Sequence, residues 1–400
     1  MTHATTAGAP SAAGVATPVV QDYGNPAGEY AALRTGALLV DHSARDLWLF
    51  GGPQARALLT GLVTNDVGAL APGQGCYAAA LTPKGRIVAD VRVYAVGDPA
   101  AGTRLPDPAA SAAGWLDGVA LVVDVPARAA AGWEGVVRKF VNPRVAPYRR
   151  AGNAVRAFGV YGVRARDAVA AAFGAAPSAL AALAPYAHAT FALEHATLLC
   201  ARVPDLGGPD AGLDGFVLLV PAAAYDAAWA RVAGAVPGVV AGGDAAYTVA
   251  RVEAGYPEWG LDIDDATIPQ EANFDELGAI SYTKGCYTGQ EVVARIHFRG
   301  HVNRHLRGLT FALGDADDGT GAGGAADPAP VPPGAALVDE HDKPVGDVRT
   351  SARSPRLGGV ALGMVRREVP VGATLRARWP DAQGAARERT VTVAALPLPQ

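Results

Sequence analysis

Lys284-Gly285-Cys286-Tyr287-Thr288-Gly289-Gln290-Glu291 places an ammonium, a thiol, an amide and a carboxylate within eight residues. The thiolate is the nucleophilic and metal-binding form of cysteine, and a lysine two residues before it favours that form. Glycines on both sides permit close backbone approach and φ > 0, which suits a bent, exposed segment. Gln290-Glu291-Val292-Val293-Ala294 can open a helix whose N-terminal dipole also favours an anion. The same residues fit a plain glycine turn around a buried, inert thiol, because free cysteine is often buried. Chemistry alone leaves both readings open.

A basic stretch follows: Arg295, His297, Arg299, His301, Arg304, His305 and Arg307. Arg-Ile-His-Phe-Arg alternates with period two, so a strand would put Arg295, His297 and Arg299 on one face. Such a face suits an anionic partner such as a glutamate tail. His297, His301 and His305 stand four apart, which on a helix would align them for zinc. Gly300 and the strand-like flanks oppose that, and no metal site is expected.

Chain length calls for two or three domains at 400 residues. Half the residues are apolar, 18% are charged, and the formal net charge is −4. That balance exerts no general pull on nucleic acid or membrane. Cys76, Cys200 and Cys286 lie far apart, which excludes a disulfide scaffold and a complete metal site. No apolar run reaches the ~18–20 residues of a membrane span. Residues 1–20 lack the pattern of a secretory signal and read as a disordered tail. A cytoplasmic monomer is expected.

These residues need elements to position them. Asp46–Phe50 reads as a strand, Pro53–Leu62 as a helix, and Cys76–Leu81 with Ile87–Val96 as a hairpin turning at Thr82-Pro83-Lys84-Gly85. Val119–Val125 is a further strand, preceded by an Ala/Pro/Gly-rich surface insertion at 99–114. A proline-opened helix then runs to Phe140. A second unit repeats the pattern: strand 154–162, helix 166–173, strands 198–203 and 216–220, and helix 221–232. Helices therefore cover one face of an antiparallel sheet in each half, an α+β class. Beyond Arg299 the helical signal stops. Segments at 307–313, 336–338, 343–350, 359–365, 373–378 and 390–394 read as the short strands of a small barrel. Residues 314–334 form a low-complexity, flexible loop.

The eight-residue motif resembles the K-G-C-Y-T-G-Q-E signature of the YgfZ family of folate-binding proteins. The likeness extends through Ile268-Pro269-Gln270-Glu271-Ala272-Asn273, Gly278-Ala279-Ile280-Ser281, Ala294-Arg295 and Phe298-Arg299-Gly300, and over about residues 22 to 313 as a whole. The family is related to the glycine-cleavage T protein and takes part in iron–sulfur cluster assembly and repair. The resemblance implies an aminomethyltransferase-like fold: two α+β units (21–150 and 151–244) around a central cavity, then a β-barrel at 301–400. It also implies that 245–300 packs back on the first unit.

The resemblance further implies tetrahydrofolate or a related folate as cofactor. Tyr77 and Asp90 match the folate-facing tyrosine and catalytic aspartate of the T protein. Thr64-Asn65-Asp66 matches its T-N-D segment, although Asn and Asp are ordinary turn formers there. Glu253, Gln290, Glu291, Arg295 and Arg299 are candidate folate contacts, with Glu253 equally suited to an ion pair with a base such as Arg251. Cys286, Lys284 and Asp90 are the candidate reactive groups. Two departures stand out. The T protein's pterin-reading glutamate after Asp214-Gly215-Phe216 is Val217 here, and its arginine four residues before Arg251-Val252-Glu253-Ala254-Gly255 is Tyr247. The expected function is therefore folate-dependent service to iron–sulfur client or carrier proteins. Any cluster would be shared through Cys286, since clusters usually take four protein thiolates. A folate-dependent aminomethyl or methyl transferase and a folate-binding scaffold in tRNA modification are the alternatives.

Overall fold

The computed structural model describes residues 20–100, 102–207, 212–313 and 329–399. Most of the expected tail and most of the 314–334 loop lie outside them. Two sheets face one another across a shared core. The first runs Gly75–Leu81, Ile87–Ala95, Val119–Val125, Asp46–Gly51, Tyr148–Arg150, antiparallel throughout. The second runs Val239–Gly242, Ala37–Asp41, Val155–Gly162, Asp214–Pro221, Ala196–Arg202, His188–Leu193, with one parallel pair between the first two strands.

Strand alternation explains the layering. On Ile87–Ala95, Ala89, Val91 and Val93 pack with Trp133 and Val137 of the helix Ala130–Phe140. Tyr94 of the same strand faces the core between the sheets, together with Tyr77, Ala79 and Leu81. In the second sheet Phe216 and Leu218 pack against Val169 and Ala228 of the outer helices Ala165–Phe173 and Tyr225–Ala233, while Val217 and Leu219 face inward. Truncating a fully buried anchor such as Trp133 to alanine costs about 3–5 kcal/mol in general.

The units exchange chain at both ends. Strand Ala37–Asp41 belongs to the second sheet, not with the rest of 21–150, and pairs with Val155–Gly162. Helix Pro26–Thr35 lies beside it, started by proline and by the Asn25 side chain, which accepts the Gly28 N–H. Residues 267–288 are hydrogen-bonded to segments of the first sheet and its helix. The Ile87 N–H donates to Thr267 O at 2.9 Å, the Ser281 N–H to Thr64 O at 3.0 Å, and the Thr288 N–H to Gly61 O at 3.3 Å. Helix Asp244–Ala254 packs instead on Pro26–Thr35 and on the barrel.

The barrel closes in the order Arg304–Phe311, Gly358–Arg366, Pro344–Ser354, Ala336–Val338, Thr374–Pro380, Ala386–Ala394. Each of the six segments read from sequence is one of these strands. One local expectation is overturned. Arg295, His297 and Arg299 lie on a helix, Gln290–Arg299, not on a strand. Gly289 at φ 84° sets its start, and the Gln290 side chain accepts the Tyr287 N–H at 3.1 Å. Val293 seats it in the core, and Val292 lies on the hairpin turn, where a Cβ at Gly85 would come within 2.8 Å of it. These helical contacts outweigh the period-two alternation.

Candidate functional site

Polar groups interrupt the apolar space between the sheets at one place. Asp90, Arg92 and Tyr94 alternate on one strand, so all three point inward. Tyr77 donates its hydroxyl to Asp90 Oδ2 at 2.9 Å. Arg92 donates to Asp124 at 3.3 Å and to Asp205 at 2.7 Å, and Arg45 donates to the other oxygen of Asp124 at 2.5 Å. Three carboxylates thus face two guanidiniums. Asp90 is the carboxylate without a direct ion pair: burial raises its carboxyl to about 6, against the opposing pull of Arg45 and of the Tyr77 hydrogen bond.

Aromatic rings wall this space. Tyr77 stacks on Tyr186 with centroids 6.0 Å apart and lies 5.4 Å from Tyr256 and 5.1 Å from Phe274. The hydroxyls of Tyr186 and Tyr256 bond at 2.9 Å. Burial raises the tyrosine hydroxyls of Tyr77, Tyr161, Tyr186 and Tyr256 further above their ordinary value, so they are donors at neutral pH. A pocket of about 160 Å³ opens alongside, lined by His42, Arg45, Tyr247 and Glu258 among others. His42 bonds the Tyr161 hydroxyl at 2.8 Å. Burial, with Arg45 and Arg92 nearby, holds its imidazole neutral.

The protein leaves acceptors and donors unpaired here. Asp90 Oδ1, Asp205 Oδ1, Arg92 Nε and the Tyr94 hydroxyl are buried with no partner among the described residues. Buried polar atoms in native proteins are nearly always satisfied. A flat ligand rich in N–H groups, held between aromatic rings, answers that deficit, and a reduced folate has such a ring. The bare oxygens of Asp90 and Asp205 are acceptors suited to the N–H groups of the folate that the sequence resemblance leads one to expect.

The two departures from the T protein have clear places. Val217 is fully buried on the inward face, paired with Ala201 and Gly159. Tyr247 meets His42 edge-on at 5.0 Å and donates its hydroxyl to Asp205 at 3.4 Å.

Cys286 is exposed, whereas Cys76 and Cys200 are buried. It precedes helix Gln290–Arg299 on the return segment. Lys284 does not bond the thiol. Its ammonium donates to the carbonyls of Thr60 and Val63 at the end of helix Ala55–Thr60, and lies 4.4 Å from the centroid of the Tyr287 ring. Burial lowers Lys284 to about 8. Cys76, the thiol whose titration Lys284 does influence, is pushed by burial up to about 12.

The other candidates divide. Gln290 is committed to the preceding turn, where its side chain accepts the Tyr287 N–H. Glu291, Arg295 and Arg299 are exposed on that helix, near Phe298, whose side chain is 66% exposed, and His297, stacked 3.6 Å from Tyr282. Glu253 is buried at the junction with the barrel. It accepts from the hydroxyls of Tyr30 (2.8 Å) and Ser354 (2.6 Å) and pairs with Arg34 and Arg356. Arg251 pairs with Asp262 instead. Thr64-Asn65-Asp66 is a turn tied to the return segment: Thr64 donates to Ala279 O at 2.6 Å and Asn65 to Gly278 O at 2.8 Å. Sequence reasoning missed His42, Arg45, Arg92, Asp124 and Asp205. The alternation Asp90-Val91-Arg92-Val93-Tyr94 carried a signal for Arg92, but nothing local marked Asp205. Among the described residues no cluster of His, Cys, Asp and Glu forms a metal site, and no helix is long and apolar enough to cross a membrane.

Comparison with known proteins gives two family matches: the GCVT N-terminal domain over residues 11–101 and the CAF17 C-terminal beta-barrel domain over 325–396. An aminomethyltransferase of Ralstonia pickettii is 27% identical over 94% of this chain and 90% of its own length. The tRNA-modifying protein YgfZ of Hamiltonella defensa is 52% identical over 61 residues, 15% of this chain and 18% of that protein. The mitochondrial iron-sulfur cluster assembly factor IBA57 homolog of Aspergillus oryzae is 32% identical over 32% of this chain and 30% of that protein. The matched stretches thus span less than a third of each of these two relatives. The crystal structure of aminomethyltransferase T from Bartonella henselae superimposes with a TM-score of 0.74 at 20% identity, covering 95% of this chain and 91% of that one. The chain thus carries a stretch similar to the GCVT N-terminal domain and one similar to the CAF17 C-terminal β-barrel domain in an aminomethyltransferase-like fold, and shorter stretches of it are similar to YgfZ and IBA57 proteins.

Proposed function

We propose that this protein binds a reduced folate between its two sheets and serves the assembly or repair of iron–sulfur clusters in client proteins through Cys286. The observation that carries this reading is the exposure of Cys286 on the glycine-flanked return segment, while the other two thiols are buried. The similarity to YgfZ and IBA57 proteins supports the client class. In this reading Asp90 and Tyr77 hold the ring of the folate, whose chemistry is the carriage of one-carbon units. Tyr77 keeps its proton and orients the Asp90 carboxyl, which is poised near neutrality to hold or release a proton at Oδ1. Cys286 is the attachment point for a cluster or a sulfur species shared with a partner, since one thiolate is too few to hold a cluster.

The test pairs a titration of tetrahydrofolate on the purified protein with the activity of iron–sulfur enzymes in cells carrying Cys286→Ser. Folate binding intact and enzyme activity lost is the expected result. Full iron–sulfur enzyme activity with the variant sinks the role of the thiol.

A second reading is a folate-dependent aminomethyl or methyl transferase. The likeness to the Ralstonia aminomethyltransferase along most of the chain, together with the Tyr77–Asp90 pair, favours it. Val217 and Tyr247 oppose it, and it assigns no task to Cys286. Release of ammonia and methylenetetrahydrofolate from aminomethylated lipoyl carrier protein decides between the two.

A further inference from the structure

Asp205 is a fully buried carboxylate with one oxygen crowded by donors and the other bare. Oδ2 accepts from Arg92 at 2.7 Å and from the hydroxyls of Tyr161 and Tyr247 at 3.4 Å each. Oδ1 has no partner among the described residues. The residue sits in the turn after strand Ala196–Arg202, held beside strand Asp214–Pro221 by the Val203 N–H donating to Gly215 O at 2.9 Å. A buried acceptor left unpaired is costly, and Asp262 Oδ1 is bare too; what sets Asp205 apart is a second bare carboxylate across Arg92.

Asp205 does not stand alone. Arg92 ties it to the first sheet, and Arg92 lies two residues from Asp90 on the same strand face. Asp90 Oδ1 is bare as well. Two carboxylates, one on a strand of the first sheet and one in a turn at the end of the second, therefore offer unpaired acceptors beside one guanidinium and within a shared wall of tyrosines. Anionic ligand groups are repelled by such a pair, whereas a flat ring with several N–H donors is matched by it. Val217, the inward residue of the neighbouring strand, has nothing to offer such a ring.

We propose that Asp205 is the second carboxylate of the ligand site, accepting an amino or ring N–H of a bound pterin-type heterocycle on Oδ1. The proposal rests on the folate reading above and adds to it the residue that selects the ring by its amino group.

The variant Asp205→Asn isolates this role. Arg92, Tyr161 and Tyr247 all donate, so they hold the amide oxygen of asparagine toward themselves. Its NH₂ group is then aimed at the ligand's own donor. The measurement is a titration of wild type and Asp205→Asn with two probes, tetrahydrofolate and its 2-desamino-2-methyl analogue. A site built to take an N–H rejects a ligand that lacks it. Wild type is expected to bind the analogue at least about tenfold more weakly than tetrahydrofolate. Asp205→Asn is expected to lose about tenfold for tetrahydrofolate and to bind the two probes within about threefold of each other. If the single variant does not fold, Asp205→Asn/Arg92→Met removes both buried charges and leaves Asp124 paired with Arg45; it is read by the same ratio. Wild-type discrimination below about threefold, or discrimination retained in the variant, overturns the role of Asp205 and leaves the folate reading standing. Failure of wild type to bind either probe removes the folate reading, and this proposal with it.

Discussion

Tyr77 and Asp90 are diagonal neighbours on the antiparallel hairpin: Tyr77 stands opposite Arg92, Asp90 opposite Ala79, and the tyrosine hydroxyl spans the offset to reach Asp90 Oδ2 at 2.9 Å. One hydrogen bond thus leaves one carboxylate oxygen held and the other bare, inside an aromatic enclosure. That geometry sets the titration of the site.

The carboxyl of Asp90 goes from an ordinary 3.8 to about 6 on folding, mainly through burial. The folded state holds this proton more tightly than the unfolded chain does. The ionised form is therefore a stability cost at pH 7, relieved as pH falls from about 7 to about 4 and constant below that. Linkage puts the difference on the order of 3 kcal/mol. Asp90→Asn keeps an acceptor for Tyr77 and removes the charge. We expect it to melt above wild type at neutral pH, to lack this component of the pH dependence between about 4 and 6, and to bind tetrahydrofolate more weakly. Thermal melts across pH at fixed ionic strength check this, and an unchanged slope refutes it.

Cys286 is expected to take one equivalent of iodoacetamide in the native protein, with Cys76 and Cys200 reacting only after denaturation. Cys286→Ser removes no packed side chain, so its melting temperature should match wild type. Mass spectrometry of the labelled peptides is the check. A native protein that labels only at Cys76, or not at all, contradicts the assignment.

Lys284 is expected to matter for stability. Its ammonium satisfies the carbonyls of Thr60 and Val63 at the end of a helix, where a cation also suits the dipole. Lys284→Met leaves those carbonyls short of a donor, at about 1–3 kcal/mol. Denaturant unfolding measures the loss. The alkylation rate of Cys286 should match wild type, and a slower rate would return Lys284 to the role of thiol activator.

The layers were legible in the sequence where alternation or helical spacing met a turn signal. The hairpin around Thr82-Pro83-Lys84-Gly85 and the six barrel segments are such cases. Strand Ala37–Asp41 was not, because Ala-Leu-Leu-Val is too short to show a period and its partners lie more than a hundred residues away. Helix Gln290–Arg299 was misread in its second half because Arg-Ile-His-Phe-Arg alternates, while the residues that fix it as a helix act through tertiary contacts at Gly85 and Gln270, whose amide donates to Val293 O at 2.9 Å. Of the site, Tyr77 and Asp90 came from a family motif. Asp205 lies in a turn with no motif, and only the buried arginine across the sheets marks it out.

Glycine-cleavage turnover is expected to be absent. Aminomethyl transfer needs the pterin and an acid–base group held in one geometry, and displacement by about 1 Å can cost on the order of a hundredfold. Under the reading proposed above, Asp90 is the candidate acid–base group. The two polar positions that hold the ring in the T protein are different here: Val217 is apolar and fully buried, and the Tyr247 hydroxyl is committed to Asp205 at 3.4 Å. On the proposal above, the acceptor for the ring is Asp205, in the turn after strand Ala196–Arg202, and not the position of Val217. The assay follows ammonia and methylenetetrahydrofolate released from aminomethylated lipoyl carrier protein, beside an authentic T protein. A comparable rate would show that the changed contacts still position the ring, and would replace the proposed role in cluster maintenance by aminomethyl transfer.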